Sequence, residues 1–138
     1  VFIFNTNESE ELIMYERAEL SECELITMKC IWDANEPVTC QEIMAKLRST
    51  YELDYKDTTF YTFLKNLKEK GFVESYRRGV TFYNAARHEQ EYRDGQLKKA
   101  EDFWFDGSSS KLISALFSLK KVNKEEREEI QKLIDELK

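Results

Sequence analysis

Residues 57–84, DTTFYTFLKNLKEKGFVESYRRGVTFYN, carry two periodicities in succession. In the first half Phe60, Phe63, Leu64 and Leu67 recur three and four apart, the spacing that lines one stripe of an α-helix, and this predicts a helix over residues 57–70. Gly71 follows, the residue type that closes a helix in the left-handed conformation at no steric cost. Two β-prone runs come next, residues 72–76 and 80–84, joined by Arg77-Arg78-Gly79. Gly79 can supply the positive φ of a tight turn, so these runs predict a hairpin with two cations at its tip.

Upstream, Ser21-Glu22-Cys23-Glu24 and Thr39-Cys40-Gln41-Glu42 both have the form of a capping box, in which a hydroxyl and a carboxylate satisfy free backbone N–H groups at a helix start. The first opens a helix over residues 22–34 with Leu25, Met28, Ile31 and Trp32 on its stripe, and Pro37 forbids continuation. The second opens a helix with Ile43, Met44 and Leu47 inward. Downstream of Glu89 the chain reads as helical again, with Tyr92, Leu97, Ala100, Phe103 and Trp104 on a ragged stripe that Gly95 weakens. Asp106-Gly107-Ser108-Ser109 breaks it. Leu112, Ile113, Leu116 and Phe117 mark a further helix, and Asn123 caps a last one with the stripe Ile130, Leu133, Ile134 and Leu137. Residues 1–20 read as an N-terminal extension in which Met14 is either a natural start or an ordinary apolar residue. Leu12, Ile13 and Tyr15 in that extension are expected to pack on the first helix or on a partner.

The 138 residues are 41% apolar and 35% charged with one Pro and four Gly, a composition that suits a helical globular domain with an appended arm. No apolar run approaches the roughly 18 residues needed to cross a bilayer, so no membrane insertion is expected. Three Cys without paired spacing point to reduced thiols and a cytoplasmic location. The single histidine, His88, argues against a His-rich metal site and against Ser-His or Cys-His catalysis, so no enzyme, cofactor or metal is expected. The net charge of −6 is uneven: residues 1–39 hold 2 basic and 9 acidic groups, residues 40–87 hold 9 and 6, and residues 88–138 hold 10 and 12. The only basic third lies in the middle of the chain, where a polyanion partner is to be sought.

Three capped helices and a hairpin with a basic tip form the pattern of a winged helix-turn-helix domain. The expected architecture is mainly α (α+β): this domain over residues 21–87, then a helical dimerisation region over residues 88–138. In such a fold the third helix enters the major groove of double-stranded DNA and the hairpin reaches an adjacent phosphate or the minor groove. The face opposite the core stripe carries Lys56, Thr58, Thr59, Tyr61, Thr62 and Lys65, and the wing adds Arg77 and Arg78. Hydroxyls can bond base edges or phosphates and lysines can neutralise backbone charge, although a merely solvated face would hold the same residue types. The last two helices have apolar stripes with little to cover them. Two copies about a twofold axis would bury Leu112, Ile113, Leu116, Phe117, Ile130, Leu133, Ile134 and Leu137.

Several motifs, in order, also resemble the penicillinase-repressor family of winged-helix regulators. Leu20-Ser21-x-x-Glu24, with Met28 and Ile31-Trp32, is similar to that family's opening helix. Tyr55-x-x-x-Thr59-Phe60-x-Thr62-Phe63-Leu64-x-x-Leu67-x-x-Lys70-Gly71-Phe72 resembles its recognition-helix signature, with Tyr55 where a Trp is usual. Gly107-Ser108-x-x-x-Leu112-Ile113 and the Glu-rich last helix resemble its C-terminal arm. The likeness spans about residues 20–138. It implies a homodimeric repressor on a palindromic operator, with Thr59 and Thr62 as family-type DNA contacts. Asn66 and Thr58 stand where the family favours basic residues, so the operator should differ. A membrane sensor protease is implied as a further partner, yet residues 99–103 lack the Asn-Phe cut site of the β-lactam-responsive members. No Cys follows Cys40, so the copper-sensing tail of other members is absent. The alternative reading is a winged-helix protein-interaction module without DNA affinity, motivated by the acidic total charge.

Five further residues have plain expectations. Cys23 and Cys30 read as small core or near-surface residues, Cys40 sits where a helix dipole can lower a thiol pKa, and His88 reads as a surface residue. Core packing is expected for Trp104 ahead of a partner-facing role.

Overall fold

Both capping boxes form, and they set where the helices start. The computed structural model describes residues 19–137; the expectations for Leu12, Ile13, Met14 and Tyr15 lie outside them. The elements run α1 (Glu22–Ala34), β1 (Val38–Thr39), α2 (Cys40–Tyr51), α3 (Asp57–Glu69), β2 (Val73–Arg78), β3 (Val80–Ala85), α4 (Glu89–Phe105), α5 (Ser109–Leu119) and α6 (Lys124–Glu136). This is a winged helix followed by a helical arm. At α1 the Ser21 hydroxyl accepts the Glu24 N–H at 3.2 Å while the Glu24 carboxylate accepts the Ser21 N–H at 2.9 Å. Thr39 and Glu42 repeat the exchange at α2. Gly71, at φ +81°, ends α3: its N–H reaches the Lys68 carbonyl at 3.1 Å and the Phe72 N–H reaches Leu67 at 2.9 Å. These are the two bonds of a Schellman closure.

Met28 and Ile31 of α1, Ile43, Met44 and Leu47 of α2, and Phe60, Leu64 and Leu67 of α3 are buried together with Val38, Phe72, Val73 and Tyr92. Two positions on α1 differ from expectation. Leu25 is exposed, and Thr27 is fully buried in the core with its hydroxyl donating to the Cys23 carbonyl at 2.8 Å. A Thr whose proton is satisfied on the preceding turn can occupy a core position that hydropathy alone would deny it. Trp32 is half-buried, and its indole N–H donates to the Arg87 carbonyl at 2.8 Å, pinning the exit of the hairpin.

The sheet is antiparallel in the order β1-β3-β2 among the described residues. Strand β1, unforeseen in the sequence, pairs Val38 with Tyr83 and Thr39 with Phe82. The hairpin strands are longer than expected: Arg77 pairs with Thr81 and Arg78 with Val80, so both arginines belong to β2 and Gly79 (φ +77°) stands alone at the turn.

The chain divides into two compact units at Gly95 and Gln96, within α4. In the first unit, Tyr92 is buried, its ring edge-on to Phe72 at 5.5 Å and its hydroxyl accepting the Leu20 N–H at 3.2 Å. In the second, Asp106 (φ 52°) and Gly107 (φ 77°) turn the chain, Ser108 caps α5, and Asn123 caps α6 by accepting the Glu126 N–H at 2.8 Å. No described residue of this second unit is buried.

Glu24 has a second partner. Its side chain is only 4% exposed, and Oε1 also accepts from the Lys70 ammonium at 2.7 Å. Burial pushes the carboxyl pKa up, but hydrogen bonds from Lys70 and from Ser21 outweigh it and hold the group below the usual Glu value. The folded state therefore gains stability from the ionised carboxylate above the ordinary Glu pKa, and that gain is lost as pH falls through the lowered one. Lys70→Met should lower stability at neutral pH by about 1.5–3 kcal/mol, the worth of a hydrogen bond to a charged group. Glu24→Gln should flatten the decline of the urea midpoint between neutral and acid pH, measured by circular dichroism.

Candidate nucleic-acid interface

Because Phe60, Leu64 and Leu67 are buried and Phe63 is half-buried, one side of α3 is committed to the core. Lys56, Thr58, Thr59, Tyr61, Thr62 and Lys65 are all exposed on the remainder. The start of the helix is held indirectly, since Lys56 at the N-cap makes no side-chain cap. Tyr55 precedes it, its hydroxyl 3.0 Å from the Cys23 sulfur of α1 and its ring edge-on to Phe63 at 5.0 Å. The hydrogen bond with Cys23, helped by burial, pushes the Tyr55 phenol up to about 12. Tyr55 thus stays a neutral brace at any physiological pH.

The exposed face is not uniform. The Thr62 hydroxyl donates to the Thr58 carbonyl at 3.0 Å, which leaves its oxygen lone pairs outward. Tyr61 is 50% exposed, and the neighbouring Cys40 thiol at the start of α2 raises the pKa of its phenol.

On the wing, Arg77, Arg78 and Gly79 are exposed, and Tyr76 stacks on its cross-strand partner Phe82 at 5.5 Å and 18°. Lys68, near the end of α3, donates to the Ser75 hydroxyl of β2 at 2.9 Å and ties helix to wing. Neither Lys68 nor this bond is legible in the sequence. A lysine seven residues from a serine across a helix end carries no periodic signal.

In the second unit Leu112 and Ile130 are half-buried, and Ile113, Leu116, Phe117, Leu133, Ile134 and Leu137 are exposed. A cleft of about 640 Å³ runs between α5 and α6, lined by Phe117, Val122, Ile130 and Ile134 among others. Leu119 (83%), Phe103 (72%) and Trp104 (71%) add to the exposed apolar surface. Trp104 is not packed in a core among the described residues, where its ring stands edge-on to Phe103 at 4.7 Å.

The family model of the penicillinase repressor matches residues 20–136. The chain belongs to the penicillinase repressor family. Membership makes it a DNA-binding transcriptional repressor, in a family of regulators rather than enzymes. The solution structure of the monomeric form of Bacillus licheniformis BlaI in complex with the blaP half-operator is similar at 28% identity. That likeness covers 54% of this chain and 88% of the other, with a TM-score of 0.45. No curated protein matches.

Among the described residues no three His, Cys, Asp or Glu side chains cluster to hold a metal, and no helix is long and apolar enough to cross a membrane. His88 is exposed, as expected. The expectation for Cys40 is overturned. Its thiol is buried, and burial pushes the pKa up, outweighing the lowering by Tyr61. Burial likewise raises Cys30, with the Asp33 carboxylate adding to it. A disulfide reagent applied to the native repressor should find one fast thiol, Cys23, and two slow ones. Cys23→Ser should remove the fast phase.

Proposed function

We propose that this repressor acts as a homodimer in the cytoplasm on a palindromic operator, with α3 in the major groove and the wing carrying a cation to an adjacent phosphate or to the minor groove. The observation that carries the reading is the exposed side of α3. Lys56, Thr58, Thr59, Thr62 and Lys65 have no part in the core, and together they offer hydroxyls for base edges and ammonium groups for phosphates. Thr59 and Thr62 lie three apart on neighbouring turns, suited to reading consecutive bases. Dimerisation is supported by the arm, which buries none of its apolar side chains by itself. A second copy covering Leu112, Ile113, Leu116, Phe117, Ile130, Leu133, Ile134 and Leu137 would gain roughly 1.5–3 kcal/mol for each side chain fully removed from water. It would also set two α3 helices about one DNA turn apart, ~34 Å, or a multiple of it. The protein needs no catalytic chemistry in this role.

The test is duplex binding by fluorescence anisotropy at two salt concentrations. A selected palindrome should bind tightly and weaken as salt rises, because contacted phosphates release counterions. Absence of binding to any duplex at low salt would favour an interaction module instead. Thr59→Ala should cost about 1–3 kcal/mol on the selected site and much less on mixed-sequence DNA. Leu133→Asp should sediment as a monomer, since an unpaired carboxylate cannot be buried in an apolar interface.

A further inference from the structure

The two wing arginines are consecutive in β2 and so belong to opposite faces of the strand. Successive side chains of a strand project to opposite faces, so Val73, Ser75 and Arg77 share one face of β2, and Glu74, Tyr76 and Arg78 share the other. Which face meets α3 is fixed by two contacts: Val73 is buried in the core, and Ser75 accepts the Lys68 ammonium at 2.9 Å. Across the ladder, Arg77 pairs with Thr81 and Ser75 with Tyr83. This inner face therefore holds no carboxylate. The outer face carries Glu74, the stacked pair Tyr76–Phe82, and Val80 opposite Arg78. On α3, Lys65 and Lys68 lie three apart and are neighbours on the helix surface.

We propose that Lys68 and Arg77 line a seam between α3 and the inner face of the wing that grips the phosphate backbone of DNA, and that Arg78 lies outside it. The proposal rests on the DNA-binding reading above and names the side chains that carry its electrostatic part. Lys68 uses one of its three donors on Ser75 and keeps two for a phosphate. Arg77 presents a planar fork suited to two phosphate oxygens at once. Lys65 extends the track along the helix.

The experiment measures the slope of log K against log salt for the full-length chain on a mixed-sequence duplex about three helical turns long, from about 50 to 200 mM salt. A substitution that frees one phosphate should reduce the slope by about 0.9 per subunit. Arg77→Ala and Lys68→Ala should each show that reduction. Arg78→Ala should show less than half of it, and Arg77→Lys should retain most of the wild-type slope. Ser75→Ala separates gripping from bracing, because it removes the strut and leaves the ammonium. If Ser75→Ala lowers the slope as far as Lys68→Ala, the assignment of Lys68 falls. Equal reductions for Arg77→Ala and Arg78→Ala, or none for either, overturn the seam. If the wild-type chain itself shows no salt-dependent binding, the DNA-binding reading fails with it, a result distinct from wild-type binding with equal arginine effects.

Discussion

A carboxylate removed from water must find charged or hydrogen-bonding partners, and Glu24 finds them at two separate places in the chain. The Ser21 N–H binds it locally, which starts α1. The Lys70 ammonium binds it from 46 residues away. Lys70 is the C-cap of α3, immediately before Gly71 and the fully buried Phe72. One buried charge therefore couples the entry of the first helix to the exit of the third. The Schellman closure that follows fixes the direction in which the chain leaves α3, and with it the root of the wing. Lys68 then spans the same junction from outside through Ser75. The orientation of the wing relative to α3 is thus set by a buried ion pair, a helix closure and a surface strut.

What the sequence disclosed follows from the range of the interactions involved. Capping boxes at Ser21 and Thr39, the Asn123 cap, the Gly71 stop and the apolar stripes of α2 and α3 are all local, and each forms as its spacing predicts. The side of α3 left to solvent was legible for the same reason, since amphipathicity commits one side to the core. Strand β1 was not legible: two residues carry no periodicity, and their pairing with β3 spans more than forty positions. The wing register departs from expectation because Arg77 and Arg78 resemble turn residues by polarity, whereas the ladder continues through them to Gly79. Thr27 and Leu25 exchange roles because an intrahelical hydrogen bond makes a hydroxyl tolerable in the core. Glu24 is legible as a capping residue, but its distant lysine is invisible to any local pattern.

The candidate interface divides in the same way. Hydroxyls and lysines along α3 follow from helical spacing, while the bond of Lys68 to Ser75 requires knowing which strand lies beside the helix. Thiol chemistry at Cys40 runs against the sequence expectation, because burial of the thiol outweighs the lowering by Tyr61.

The arm, finally, carries a thermodynamic consequence. Helices α5 and α6 have no buried residue of their own among the described residues, and the proposed second copy would shield their apolar stripes from outside the subunit. Shielding by that second copy would obey mass action, and it would make the heat resistance of the arm a function of abundance. Dilution would loosen it, and accumulation would harden it. Control by this repressor would then steepen with copy number without any additional ligand.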